Sequence, residues 1–173
     1  MSLRILSVLL LGLMLNGHAG AASKVMAVPM LTDLSRDSTQ AQRQGKPIIL
    51  FFTLPGCSFC HVVRNNYLLP LLRDARVKER PIIREVDVTG TQAVVNLDHS
   101  WGNHRSIAKT YKIHAAPTVL FLDAAGCLLT APIVGGDIAG LYGGYLDNAF
   151  AEAEKKIATA RKHNKANKGC VQP

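Results

Sequence analysis

One stretch restricts the possible folds of this chain more than any other: Leu50-Phe51-Phe52-Thr53-Leu54-Pro55-Gly56-Cys57-Ser58-Phe59-Cys60-His61. The run Ile48 to Phe52 is continuously apolar, the pattern of a strand buried on both faces in the middle of a sheet. Pro55-Gly56 ends it, and two cysteines follow at C-x-x-C spacing. With a helix beginning there, Cys57 lies at its first turn. Cys60 is then on the same face, near enough to close a disulfide. Unpaired N–H groups and the dipole at a helix N-terminus favour a thiolate at Cys57. The spacing therefore points to reversible dithiol chemistry.

The flanking sequence predicts a chain of short elements around this strand. Thr32 or Asp33 can cap a helix that runs to about Gln44 and ends at Gly45. After the cysteines, Val62, Val63, Tyr67 and Leu68 form a helical apolar face to Leu69, and Pro70 must kink or end that helix. Leu71-Leu72 and Val77 suggest a second short helical piece. Pro81 opens a strand over Ile82 to Val88, and strand–helix–strand at this spacing implies a parallel pair with a right-handed crossover. Thr89 to Asn103 is expected to be a surface insertion with a helical turn at Gln92–Leu97, anchored by Trp101 or packing it into the core, with Trp101 lining the substrate face as the alternative. Arg105 to Tyr111 reads as a helix and Thr118 to Leu122 as a strand. Asp123 to Gly126 then forms a turn into a hairpin partner spanning Cys127 to Val134. Asp137 is expected to cap a long last helix burying Ile138, Tyr142, Tyr145, Ala149, Ala153 and Ile157.

The first residues need a separate reading. Arg4 precedes the apolar run Ile5 to Leu15, and Ala19-Gly20-Ala21 supplies small residues for cleavage. This is the pattern of a secretory signal peptide over residues 1–21, with an uncleaved anchor as the alternative. The expected organisation is a signal peptide at 1–21, one domain at 22–163 and a polar tail at 164–173, in a periplasmic or secreted protein. The formal net charge of +8 becomes +7 without the leader, which carries Arg4 and no acidic residue. Much of the excess lies in Lys155-Lys156, Arg161-Lys162, Lys165 and Lys168, a solvated helix end and tail that could also meet anionic surfaces or acidic partners. Nucleic acid is not an expected partner of an exported chain. In an oxidising compartment the four cysteines invite pairing. Proximity joins Cys57 to Cys60, and Cys127 with Cys170 is the remaining pair, with a buried Cys127 and an unpaired Cys170 as the alternative.

The ordered set Ala41-x-x-x-Gly45-Lys46-Pro47 with its strand, Cys57-x-x-Cys60, Ala116-Pro117-Thr118 and Phe121-Leu122-Asp123-x-x-Gly126 resembles the thioredoxin superfamily, and most nearly its exported thioredoxin-like members. The resemblance covers about Leu31 to Ile157. It implies an α/β thioredoxin fold with a central mixed sheet flanked by helices, working without a cofactor or a metal. It implies an exported thiol–disulfide oxidoreductase in which Cys57 attacks and Cys60 resolves. Pro117 would be cis beside the dithiol, and Ala116 would offer backbone hydrogen bonds to a substrate chain. Partners would be protein thiols or disulfides and a membrane or periplasmic redox protein, with the chain itself a monomer.

The sequence departs from that pattern in two places. The buried acid that cytosolic thioredoxins keep six residues before the first cysteine is Phe51 here. Proton transfer from Cys60 would then fall to water or to Lys46, His61 or Glu85. Gly56 stands where an aromatic residue usually precedes the first cysteine. The redox-tuning positions Ser58 and Phe59 match neither the Gly-Pro of thioredoxins nor the Pro-His of strong periplasmic oxidants. His61 as imidazolium would favour the Cys57 thiolate. That would make the couple more oxidising, whereas the lack of the Pro-His dipeptide favours a reductant or redox relay, with a disulfide oxidase or isomerase-type protein as the alternative. Cys57-x-x-Cys60-His61 also fits c-type haem attachment, with His99, His104 or His114 as a ligand, and a Cys/His carrier of copper or zinc is a further reading.

Overall fold

The computed structural model describes residues 27–74 and 81–162. The expected signal peptide and the whole expected tail, including Cys170, lie outside them, as does Val77. Helix α1 (Leu34–Gln44) opens at Asp33, whose carboxylate accepts the Arg36 N–H, and closes at Gly45, which donates its N–H to Ala41. Strand β1 (Ile48–Thr53) follows and is buried at all six positions. Its alternate side chains serve two cores. Ile49 and Phe51 join the cluster beneath the cysteine-bearing helix and the last helix, whereas Ile48, Leu50 and Phe52 join the cluster on the α1 side. A continuous apolar run is what such a two-sided strand needs.

Beyond the cysteines the chain is helical from α2 (Ser58–Val63) through a π-turn (Arg64–Leu68) into α3 (Leu69–Arg73). Pro70 therefore neither ends nor interrupts this segment. The π-turn widens the register, with Leu69 donating to Arg64 five residues back. Proline, which has no N–H and would collide with a carbonyl in an α-helical interior, enters at the start of α3.

Strand β2 (Ile82–Asp87) pairs parallel with β1, placing Phe51 opposite Glu85. Strand β5 (Thr118–Leu122) pairs antiparallel on the other side of β1. With β6 (Ile133–Val134) the main sheet has the order β2-β1-β5-β6, a mixed sheet with helices on its faces.

Three expectations are corrected. The insertion is a hairpin of β3 (Ala93–Val95) and β4 (Trp101–Asn103), with no helical turn. Val94 is buried in the α1-side core, and the Val95 N–H bonds Thr32 from the start of the domain. Trp101 is 75% exposed, so it anchors nothing. The partner of β5 is not one strand over Cys127–Val134: beyond a bridge at Leu128, only Ile133 and Val134 pair. Pro132 lies between and has no N–H for a ladder.

The last helix, α5, spans Tyr142–Lys162 and does not begin at Ile138. Gly140 has φ +71°, a left-handed conformation that a helix cannot include and that suits glycine. Ile138 is consequently 87% exposed, and Tyr145 faces solvent while Leu146 takes the buried stripe with Tyr142, Ala149 and Ala153. Helix α4 (His104–Thr110) starts at Asn103, which exchanges caps with Ser106. Among the described residues no helix is long and apolar enough to cross a membrane.

Candidate functional site

The dithiol sits where β1 delivers the chain to α2. Gly56, at φ +71°, makes the turn after Pro55, and no neighbouring atom crowds the place a Cβ would take, so backbone conformation alone asks for glycine. Cys57 is then the N-cap of α2. Its Sγ accepts the Cys60 N–H at 3.0 Å and its carbonyl accepts the His61 N–H at 3.1 Å. Cys57 and Cys60 are joined by a disulfide with Cα atoms 5.2 Å apart. The two sulfurs are not equivalent. Cys57 is half-buried while Cys60 is 1% exposed within the core. Attack from solvent can reach only the first, and an N–H already aimed at its sulfur stabilises negative charge there.

The Ala116–Pro117 peptide is cis. Ala116 packs against the same core cluster as Cys57, and the Pro117 carbonyl accepts the Gly135 N–H at 2.8 Å, which fixes the loop after β6 beside the cis bond. Phe59 is 53% exposed and lies against Gly136, where a Cβ would come within 2.7 Å of its ring. Ser58 and His61 are exposed, and His61 Nε2 lies 2.8 Å from the Asn65 amide nitrogen. Residues 57–61, 116–117 and 135–136 thus meet at one end of the sheet.

A charged network lies on the β2 side. Glu85 is 8% exposed and accepts two hydrogen bonds from Arg64, one from Nε at 2.8 Å and one from Nη2, plus the Thr53 hydroxyl at 2.9 Å. The guanidinium also stands 5.6 Å from the Phe51 ring centroid. Its bond to Glu85 holds Arg64 even more firmly protonated than usual. These groups border an open cleft of about 460 Å³ whose wall includes Cys57, Ser58, His61, Arg64, Glu85 and Asp87. The register of β1 and β2 sets the Glu85 carboxylate opposite Phe51, on the next strand. Of the three suggested proton carriers, Glu85 and His61 line the cleft together with Cys57. Lys46 does not: it precedes β1, at the far end of the strand, and pairs with Glu154 at 2.8 Å.

Sequence reasoning passed over Arg64, although it lies one turn beyond Cys60 and its charge could have been read there. It also missed the role of Asp137. That carboxylate accepts the Tyr67 hydroxyl and so ties the loop after β6 to the π-turn. The bond holds Asp137 below the ordinary carboxylate range and Tyr67 above the ordinary phenol range.

Other expected residues stand apart. Cys127 is 2% exposed just beyond the end of β5, at the pole away from the dithiol, and is not a free thiol. Its expected partner Cys170 is outside the described residues. His104 is fully buried, accepting the Asp87 N–H at Nδ1 and bonding the Leu31 carbonyl through Nε2, so both nitrogens are engaged by backbone. Among the described residues no three His, Cys, Asp or Glu are grouped to hold a metal.

A family model described as a thioredoxin-like domain matches residues 34–137. No curated protein matches the chain significantly. Among solved structures the chain is similar to the reduced thioredoxin pre-protein of Schistosoma mansoni, at 22% identity over 71% of this chain and 96% of that one, with a TM-score of 0.42. It is also similar to the oxidised C-terminal domain of DsbD from Neisseria meningitidis, at 16% identity over 69% and 98% of the two chains and a TM-score of 0.45. A DsbH oxidoreductase matches at 20% identity over 72% and 86%, with a TM-score of 0.47.

Proposed function

The chain belongs to the thioredoxin-like domain family, and from that membership we propose that it is an exported thiol–disulfide oxidoreductase acting through Cys57 and Cys60. The observation that carries the proposal is the asymmetric dithiol: a half-buried Cys57 capping α2 and joined to a buried Cys60, beside a cis Ala116–Pro117 peptide. In the reduced protein the Cys57 thiolate attacks one sulfur of a substrate disulfide. A mixed disulfide forms and the substrate's other sulfur leaves as a thiolate. Cys60 loses its proton and attacks the Cys57 sulfur, which releases the second substrate thiolate and closes Cys57–Cys60. The steps run backwards when the partner is a dithiol. Ala116, at the edge of the site, is positioned to pair by backbone with an extended substrate segment.

Two finer assignments belong to the same proposal. Export rests on the charged start, apolar run and small-residue site of residues 1–21. A reductant or relay role rests on the Ser58-Phe59 dipeptide, which lacks the Pro-His of strong oxidants.

The test is reduction of insulin by the purified chain with dithiothreitol as electron source. Cys57→Ser abolishes turnover, and Cys60→Ser accumulates a mixed disulfide visible by mass. A Cys57→Ser protein that works at the wild-type rate refutes the assignment. Equilibration against thiol buffers then decides direction. A reduction potential near about −270 mV fits a reductant, whereas one near about −120 mV makes the protein a disulfide donor.

A further inference from the structure

We propose that the cleft beside Cys57 binds the headgroup of an amino-acid disulfide, so that low-molecular-weight disulfides of the cystine class are substrates in addition to proteins. The inference rests on the dithiol reading above and concerns which molecules reach Cys57. The cleft, at about 460 Å³, lies in the size range of small-molecule sites and has Cys57 in its wall. None of its lining residues comes from the cis-proline loop or the loop after β6. It is therefore separate from the edge where an extended chain would pair.

Its polar groups are of two kinds, and several have bonding capacity to spare. Asp87 uses Oδ1 for the Thr89 N–H and hydroxyl, at 2.9 and 2.8 Å, and Oδ2 makes no hydrogen bond among the described residues. That leaves one negatively charged acceptor. Arg64 spends Nε and Nη2 on Glu85, and its Nη1 makes no hydrogen bond among the described residues. With Asn65 donating to His61 Nε2, the ring proton is on Nδ1 and free to donate. The Ser58 hydroxyl is exposed next to them. An acceptor for an ammonium and three donors for a carboxylate in one cleft complement an α-amino acid. In cystine that headgroup is separated from the sulfur by a single methylene.

The chemistry balances without another reagent. The Cys57 thiolate attacks one cystine sulfur and expels a cysteine thiolate, which takes a proton from water. Cys60 gives up its proton and displaces the second cysteine from Cys57. One cystine is reduced to two cysteines while the protein dithiol is oxidised to its disulfide.

The experiment uses the reduced full chain with three probes: cystine, cystamine, which lacks the carboxylates, and 3,3′-dithiodipropionate, which lacks the ammonium groups. Rates of protein oxidation are read by alkylation and mass. Each is divided by the rate of dithiothreitol with the same probe, which removes differences in leaving-group reactivity. The normalised cystine rate is expected to exceed both others by about tenfold or more, as for paired charge-assisted contacts. Preference over the dianionic probe is informative because the +8 chain attracts anions in general. Asp87→Asn is expected to bring cystine down to the dithiodipropionate rate. Should that variant not fold, Ser58→Ala is expected to lower the ratio of cystine to cystamine. Three normalised rates within twofold of one another, or cystamine equal to cystine, overturn the proposal while insulin is still reduced. Loss of insulin reduction as well overturns the dithiol reading itself.

Discussion

Replacing Glu85 by glutamine separates the charge of the Arg64–Glu85 pair from its shape. The amide still accepts the Thr53 hydroxyl and fills the same space, but the Arg64 cation is left without its counter-charge. Both partners are largely buried, with side-chain exposures of 24% for Arg64 and 10% for Glu85. Breaking a buried pair from one side costs about 3–5 kcal/mol, and the partial exposure of Arg64 reduces this to about 1–3 kcal/mol. The second effect falls on Cys57. Glu85 and Cys57 line the same cleft, and a unit charge acting over roughly 8 Å, with an effective dielectric constant of about 20–40, contributes about 1–2 kcal/mol. Glu85→Gln is therefore expected to lower the Cys57 thiol pKa by about one unit. Stabilising the thiolate stabilises the reduced protein, so the potential rises by about 30 mV. Arg64→Gln leaves the carboxylate uncompensated and is expected to shift both quantities the other way. Thiolate ultraviolet absorbance against pH measures the first, and equilibration with a thiol buffer the second. An unchanged or raised Cys57 pKa in Glu85→Gln, or shifts of the same sign in both variants, refutes this electrostatic account.

Further outcomes test other parts of the structure. The folded pKa of Asp137 is depressed, so its bond to Tyr67 stabilises fully above about pH 4 and is lost as pH falls through the folded value. The raised pKa of Tyr67 makes the same bond complete below about pH 10 and lost above it. The stability difference between wild type and Asp137→Asn should therefore shrink below about pH 4 in denaturant titrations, and a difference constant from pH 2 to 7 contradicts the tie. Gly144 is exposed in α5, and nothing lies within 4 Å of the place a Cβ would take, so Gly144→Ala should stabilise by about 0.8–1 kcal/mol in urea unfolding. Gly136→Ala should instead disturb Phe59, where the added carbon would come within 2.7 Å of the ring, and alter the insulin rate more than the stability. For Cys127 we propose the bridge to Cys170, worth about 2–4 kcal/mol. Alkylation of the unreduced full chain followed by intact mass should find no modified thiol, and two modified thiols beside a closed Cys57–Cys60 refute it.

How much of this was legible in the sequence depends on how local each cause is. Asp33 and Gly45 bracket α1 by interactions within a few residues, and the apolar run of β1 states its burial directly. The Cys57–Cys60 spacing, the Pro55-Gly56 turn and the Ala116-Pro117-Thr118 signature are local in the same sense. The hairpin β3–β4 was hidden because each strand has only three residues. Its stability comes from Thr32 and from the core around Val94, both remote in sequence. The start of α5 was misplaced because apolar spacing from Ile138 onward suits a helix, while the left-handed Gly140 and the Tyr67–Asp137 bond exclude one.

By itself, then, the sequence determined the dithiol, the element that presents it and the strands before and after it, because these depend on neighbouring residues and on apolar period. Tertiary structure decided which charges attend the dithiol. The parallel register of β1 and β2 sets Glu85 opposite Phe51, and the helix after Cys60 brings Arg64 to it. A carboxylate missing from one strand was thereby supplied by the next. Such a substitution is invisible along the chain because residues facing each other across a sheet have no fixed separation in sequence.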